Sequence, residues 1–134
     1  MYIVNEKEYK CPVSITLDVF NDRWKLAIIW HLIDGKKRFK ELHNNIGEIT
    51  QKTLTVKLKE LEEKNIITRT VYAQVPPKVE YSLTPIGQRL QPTLDEMYKW
   101  GLAYVKDNGT ILDDINTSIK KCQRGKKIEE DMKN

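Results

Sequence analysis

The chain has 134 residues, 40% of them hydrophobic and 31% charged, and a net charge of +4. That length closes one hydrophobic core, and the composition is that of a globular protein rather than a disordered or fibrous one. Two cysteines far apart, Cys11 and Cys122, and no apolar run near the length of a bilayer span exclude a disulfide-framed mini-protein and a helical membrane protein.

No cationic stretch followed by an apolar run and a cleavage site opens the chain, so the expectation is a cytoplasmic protein with no membrane partner. Residues 1–10 are polar with scattered aromatics and predict an extended arm. Pro12 at a first helical position makes Cys11 the N-cap of a short helix, Val13 to Phe20. Asn21-Asp22 is a break, and Asp22 is an N-cap for a helix over about Arg23 to Ile33 that buries Leu26, Ile29, Trp30 and Ile33. Gly35 closes it in a left-handed conformation. Trp24 and Trp30 read as core or subunit-contact anchors, and the lone His31 as a structural histidine.

Phe39, Leu42 and Ile46 recur at i, i+3 and i+7, the pattern of a short helix packed on one side, and Gly47 is a turn residue after it. Thr50 is an N-cap for a second helix, whose Leu54, Leu58 and Leu61 share one face, with Asn65 as its left-handed stop. Gln51, Lys52, Thr55, Val56 and Lys59 lie off the leucine stripe and form a polar, cationic face. Ile66 to Tyr72 and Val79 to Leu83 are rich in β-branched and aromatic residues and predict a hairpin. Pro76-Pro77 marks its turn, with Lys78 beside the tip. A helix with an amide- and lysine-bearing face followed by a basic hairpin suits duplex DNA: the helix enters the major groove and the tip meets backbone or minor groove. Arg23 to Lys40 adds Arg23, Lys25, Lys36, Lys37, Arg38 and Lys40 against Asp34 alone, a cluster expected either to face solvent or to touch phosphate.

Thr84-Pro85 starts another helix. Leu90, Leu94, Met97, Gly101 and Tyr104 form a coiled-coil-like seam along it, with a kink at Pro92. Asn108-Gly109 ends it. Ile111, Ile115 and Ile119 make a second stripe, to which Cys122 returns, and residues 123–134 are charged, lack periodicity and predict a frayed tail.

The blocks Cys11-Pro12-Val13, Trp24-Lys25-Leu26, Arg38-Phe39-Lys40-Glu41-Leu42, Ile49 to Thr55, Leu58 to Glu62 and Val75-Pro76-Pro77-Lys78-Val79-Glu80-Tyr81-Ser82-Leu83-Thr84 carry a family resemblance. The chain resembles the HxlR-type bacterial winged helix-turn-helix transcription regulators, a group related to MarR, from Cys11 to about Gly101. The resemblance implies a mainly α fold with a small β-hairpin, a winged helix-turn-helix with flanking dimerisation helices. One winged-helix domain is expected over 1–134: an arm at 1–10, the core with its dimer helices at 11–106, and a C-terminal helix and charged tail at 107–134. Pairing of two copies through the flanking helices implies an inverted-repeat operator. Expected DNA contacts are Gln51, Lys52, Thr55, Lys59, Lys78 and Arg38.

Cys11 stands where many proteins similar to this one carry a cysteine that senses oxidants, quinones and reactive aldehydes. Its place at a helix N-terminus beside Lys10 favours a thiolate, although a free cysteine is otherwise an inert packing residue. Cys122 is the one candidate partner thiol, and it reads better as a filler of the isoleucine stripe. Three alternatives stay open: a non-covalent ligand as effector with Cys11 a bystander, a winged-helix module that docks protein, and a small enzyme whose site no motif reveals. There is no GxSxG, HExxH or glycine-rich phosphate loop, and His31 and His43 lack acidic partners at metal spacing; neither enzyme, cofactor nor metal is expected.

Overall fold

The computed structural model describes residues 1–111 and 123–134. The first ten residues are not an extended arm. They form an antiparallel hairpin, β1 (Tyr2–Val4) and β2 (Lys7–Tyr9), in which Tyr2 faces Tyr9 and Val4 faces Lys7. The two-residue turn is made by Asn5 and Glu6 at φ +49° and +67°, the left-handed pair that matches strand twist. Glutamate is an uncommon residue there, which is why the turn is not legible in the sequence. The hairpin is tied down by Asp18, whose Oδ2 accepts from Lys7 Nζ at 2.6 Å and from Tyr9 OH at 2.7 Å.

Helix α1 (Pro12–Val19) follows with Cys11 at its N-cap, and none of its residues is buried. Helix α2 (Arg23–Leu32) is the centre of the fold. Asp22 caps it by accepting from the Lys25 amide at 2.8 Å. Its innermost residues are Ile28, Ile29 and Leu32; Leu26, Trp30 and Ile33 are only partly buried. The expected face is therefore rotated. The helix packs on α3, α4 and the wing together, so the stripe facing those three elements is the deepest.

The helix-turn-helix pair is α3 (Phe39–Ile46) and α4 (Gln51–Glu63). Glu41 reaches back to the Arg38 amide at the start of α3, and Gly47 closes that helix at φ +88°. Thr50 caps α4 by accepting from the Thr53 amide at 3.1 Å. Asn65 at φ +62° ends it in a Schellman closure, with Ile66 N–H donating to the Leu61 carbonyl and Asn65 N–H to that of Glu62. Leu54, Leu58 and Leu61 are buried, as their spacing predicts.

The wing pairs β3 (Ile67–Tyr72) with β4 (Lys78–Leu83), in register from Ile67 opposite Leu83 to Tyr72 opposite Lys78. Lys37 bridges to the outer edge of β4 through two bonds to Tyr81, of 2.9 and 2.8 Å. Thr84 then caps a single turn, α5 (Pro85–Gln88), and the chain breaks at Arg89-Leu90 before α6 (Gln91–Asn108). One helix kinked at Pro92 is thus corrected to two. Pro92 sits in the first turn of α6, where its missing N–H has no carbonyl to serve. Just before the break, Gly87 lies close to the residue that leads into β3: a Cβ there would collide with the Ile66 carbonyl.

The tail expected to fray includes a helix, α7 (Gln123–Lys133). It packs on α6, with Gly125 against the Tyr98 ring and an Arg124–Asp95 ion pair, and its Ile128 is buried. Ile128 is the one buried apolar side chain of α7, too little for a periodic signal. Ile115, Ile119 and Cys122 lie outside the described residues.

Candidate nucleic-acid interface

Leucines on one side of α4 dictate what the other side exposes. Lys52, Val56 and Lys59 form the outermost row at i, i+4 and i+7, and Gln51 and Thr55 flank it; all five are exposed. Thr55 Oγ1 donates to the Gln51 carbonyl at 2.8 Å, which holds its side chain against the helix. The lysines of α4 divide by partner. Among the described residues Lys52 and Lys59 form no ion pair, whereas Lys57, on the opposite flank, sits 3.0 Å from Asp22 and 3.8 Å from Glu60. The two outward ammonium groups are available to phosphate or to base edges.

Arg38 is exposed at the N-cap of α3, without an ion pair among the described residues. The rest of the basic run does not form one surface. Lys25, counted with it in the sequence, is buried at 6% exposure and pairs with Glu60 at 2.8 Å. Lys36 and Lys78 converge on one buried carboxylate, that of Glu80, at 3.5 and 2.7 Å. Lys78 also lies 5.2 Å from the Tyr72 ring centroid. The Glu80 carboxyl is held below the ordinary carboxylate range, chiefly by its bond to Lys78 and against the cost of burial.

Strand alternation exposes a residue that sequence reasoning missed. Arg69 is two residues from Ile67, so it shares the face of β3 that packs on α4. It is exposed and, among the described residues, unpaired. Lys78 and Glu80 lie on the opposite face. The period-two pattern of β3 was the available signal, but only the packing of Ile67 says which face is inward.

Cys11 is a free, exposed thiol at the start of α1, and its side chain makes no capping bond. Its structural relation to Cys122 lies outside the described residues. No group of three metal-ligating side chains occurs among the described residues, and none of the described helices is long and apolar enough to cross a membrane.

The profile of the HxlR-like helix-turn-helix family matches residues 19–109. The chain belongs to that family. Among its relatives is an HTH-type transcriptional regulator of Bacillus subtilis strain 168, YdeP, 52% identical over 94 residues, or 70% of this chain and 73% of that one. The fold matches that of the redox regulator HypR in its reduced form, with TM-score 0.68 and 50% identity over 70% of this chain and 93% of the other. It also matches the reduced form of the B. subtilis transcriptional regulator YodB, with TM-score 0.62 and 39% identity over 75% and 95% of the two chains. The architecture is that of a winged helix-turn-helix regulator of the HxlR and MarR type, and DNA binding, not a catalytic class, is the family's activity. The α3–turn–α4 unit and its wing fall inside the matched span.

Proposed function

We propose that this protein regulates transcription as a homodimer on an inverted-repeat operator, reads it with α4 and the wing, and is switched by covalent modification of Cys11. The unpaired, outward Lys52 and Lys59 on a capped helix carry the DNA reading. Gln51 offers a donor and an acceptor to an adenine edge, Lys52 donates to guanine, Thr55 reads beside them, and Lys59, Arg38, Lys78 and Arg69 meet phosphates.

The dimer reading rests on uncovered apolar surface. Val13 and Leu17 of α1 are 64% and 57% exposed, and Trp100 and Tyr104 of α6 are 68% and 55% exposed. These large apolar residues, exposed on the helices that flank the reading unit, are surface that a second copy covers.

The switch reading rests on the exposure of Cys11 and on the redox regulator among the structural relatives. A quinone would add to the sulfur, with the thiol proton passing to a quinone oxygen. A peroxide would leave a sulfenic acid and release water. Either product stands at the N-terminus of α1, one of the helices proposed to pair, where it alters how two copies meet and so the spacing of the two reading heads. The test is retention on operator duplex with and without diamide or a quinone, for wild type, Cys11→Ser and Cys122→Ser. Release of the wild type, retained in Cys122→Ser and lost in Cys11→Ser, is expected. Full wild-type affinity after proven thiol modification rejects the switch.

One observation favours a second effector reading. An open, largely apolar cavity of about 330 Å³ lies between α2 and α6, walled by Leu26, Trp30, Leu94 and Tyr98 with Arg23 among its lining residues. Trp30 and Tyr98 stack there at 5.4 Å. A small apolar ligand with an acidic group fits that lining. It would release the Cys11→Ser protein as readily as the wild type.

A further inference from the structure

Four charged side chains close a ring between the first turn of α2 and the middle of α4. Asp22 Oδ1 accepts from the Lys25 amide at 2.8 Å, and its Oδ2 lies 3.0 Å from Lys57 Nζ. Lys57 Nζ lies 3.8 Å from Glu60 Oε2, which in turn lies 2.8 Å from Lys25 Nζ. Lys25 is the deepest member, with a side chain only 7% exposed.

Stability does not explain a lysine at that depth. Desolvating an ammonium group costs several kcal/mol, and apolar residues of similar volume commonly replace a buried pair without loss. Directional contacts explain it better. Leu54, Leu58 and Leu61 bury α4 through non-directional packing, which tolerates small rotations about the helix axis. A rotation of roughly 20° at a side-chain radius of about 5 Å moves an exposed group by about 1.7 Å, well beyond the tolerance of a hydrogen bond. Thr53, Lys57 and Glu60 lie on the flank of α4 toward α2, away from Gln51 and Thr55, so ion pairs at Lys57 and Glu60 fix that angle.

We infer that the ring of Asp22, Lys57, Glu60 and Lys25 is a positioning device that sets the rotation of the reading helix, and thereby the selectivity of base readout. This rests on α4 being the reading helix. It predicts that breaking the ring impairs choice among sequences while leaving phosphate binding intact.

The experiment first selects a preferred duplex from a random pool with wild-type protein. Affinity for that duplex and for a mixed-sequence duplex is then measured at one salt concentration. The variants are Lys25→Met, Glu60→Gln, their combination, and Lys57→Gln. The combination leaves net charge unchanged, so long-range attraction to DNA is the same. Its melting temperature and mixed-sequence affinity are expected to stay near wild type, while preference for the selected duplex falls about tenfold, the scale of one lost base contact. A double variant with wild-type preference overturns the inference. So does parallel weakening on both duplexes in step with a lowered melting temperature, which a merely structural ring predicts. If the double variant does not fold, Lys57→Gln decides: reduced preference supports the ring and unchanged preference overturns it. A wild type that binds but selects no sequence rejects the reading helix itself, and the ring with it.

Discussion

Lys78 Nζ stands 2.7 Å from Glu80 Oε1, two residues along the same face of β4. The wing lysine expected to reach DNA is therefore held along the strand, while Arg69 projects unpaired from the opposite face, the one that meets α4. Arg69→Ala is expected to flatten the slope of log affinity against log salt by about one unit, the signature of one lost phosphate contact. Lys78→Ala is expected to flatten it less, because that ammonium must first leave Glu80. Fluorescence anisotropy on a mixed-sequence duplex across a salt series measures both, and a larger effect at Lys78 rejects this ranking.

On α4, Lys52→Ala and Thr55→Ala are each expected to cost about 1–3 kcal/mol on the preferred duplex and to relax specificity at one position. Lys59→Ala is expected to weaken all sequences alike. Unchanged operator affinity in both Lys52→Ala and Thr55→Ala means that α4 is not the reading helix.

The dimer prediction uses residues whose side chains stabilise little within one chain. Leu17→Glu and Trp100→Glu, at positions 57% and 68% exposed, are expected to preserve far-UV circular dichroism and convert a micromolar dimer into a monomer. Operator affinity should fall with it, since two reading heads lose their linkage. A wild type that sediments as a stable monomer at micromolar concentration removes the idea.

Acid is expected to loosen the link between α2 and α4. The Glu60 carboxyl is held below its ordinary value, chiefly by its bond to Lys25; burial pushes that of Asp22 up, but the Lys25 amide and Lys57 together outweigh burial and hold it low. A carboxyl depressed in the folded state stabilises fully above its unfolded value, and that contribution disappears as pH falls through the depressed value. The part of the melting temperature due to these carboxylates should therefore be constant above the carboxylate range and be lost below it. Glu60→Gln should drop less steeply over the same interval. Identical pH profiles for wild type and Glu60→Gln, measured by scanning calorimetry, contradict this assignment.

Interactions of short range along the chain are legible in the residues themselves. Thr50, Asp22, Asn65 and Gly47 act within one turn of their own position, and each performs the cap or stop that its chemistry predicts. Leu54, Leu58 and Leu61 are buried because a period of 3–4 residues can face only one side of a helix. The strands about Pro76-Pro77 pair as their composition requires. These local rules, with the family blocks, make the helix-turn-helix, its wing and its outward face readable from the residues alone.

Tertiary contacts decided the remainder. Lys25 looks like any surface lysine until Glu60, 35 positions on, is brought within 2.8 Å of it. Lys78 looks free until Glu80 is buried at the edge where Lys37 meets β4. Gly87 seats against the Ile66 carbonyl just before the break into α6, and α7 is held by Gly125 and Arg124 meeting α6, with Ile128 buried. A charged or small side chain carries no local sign of its partner, because its energy depends on what desolvates and neutralises it, and only folding brings those groups together.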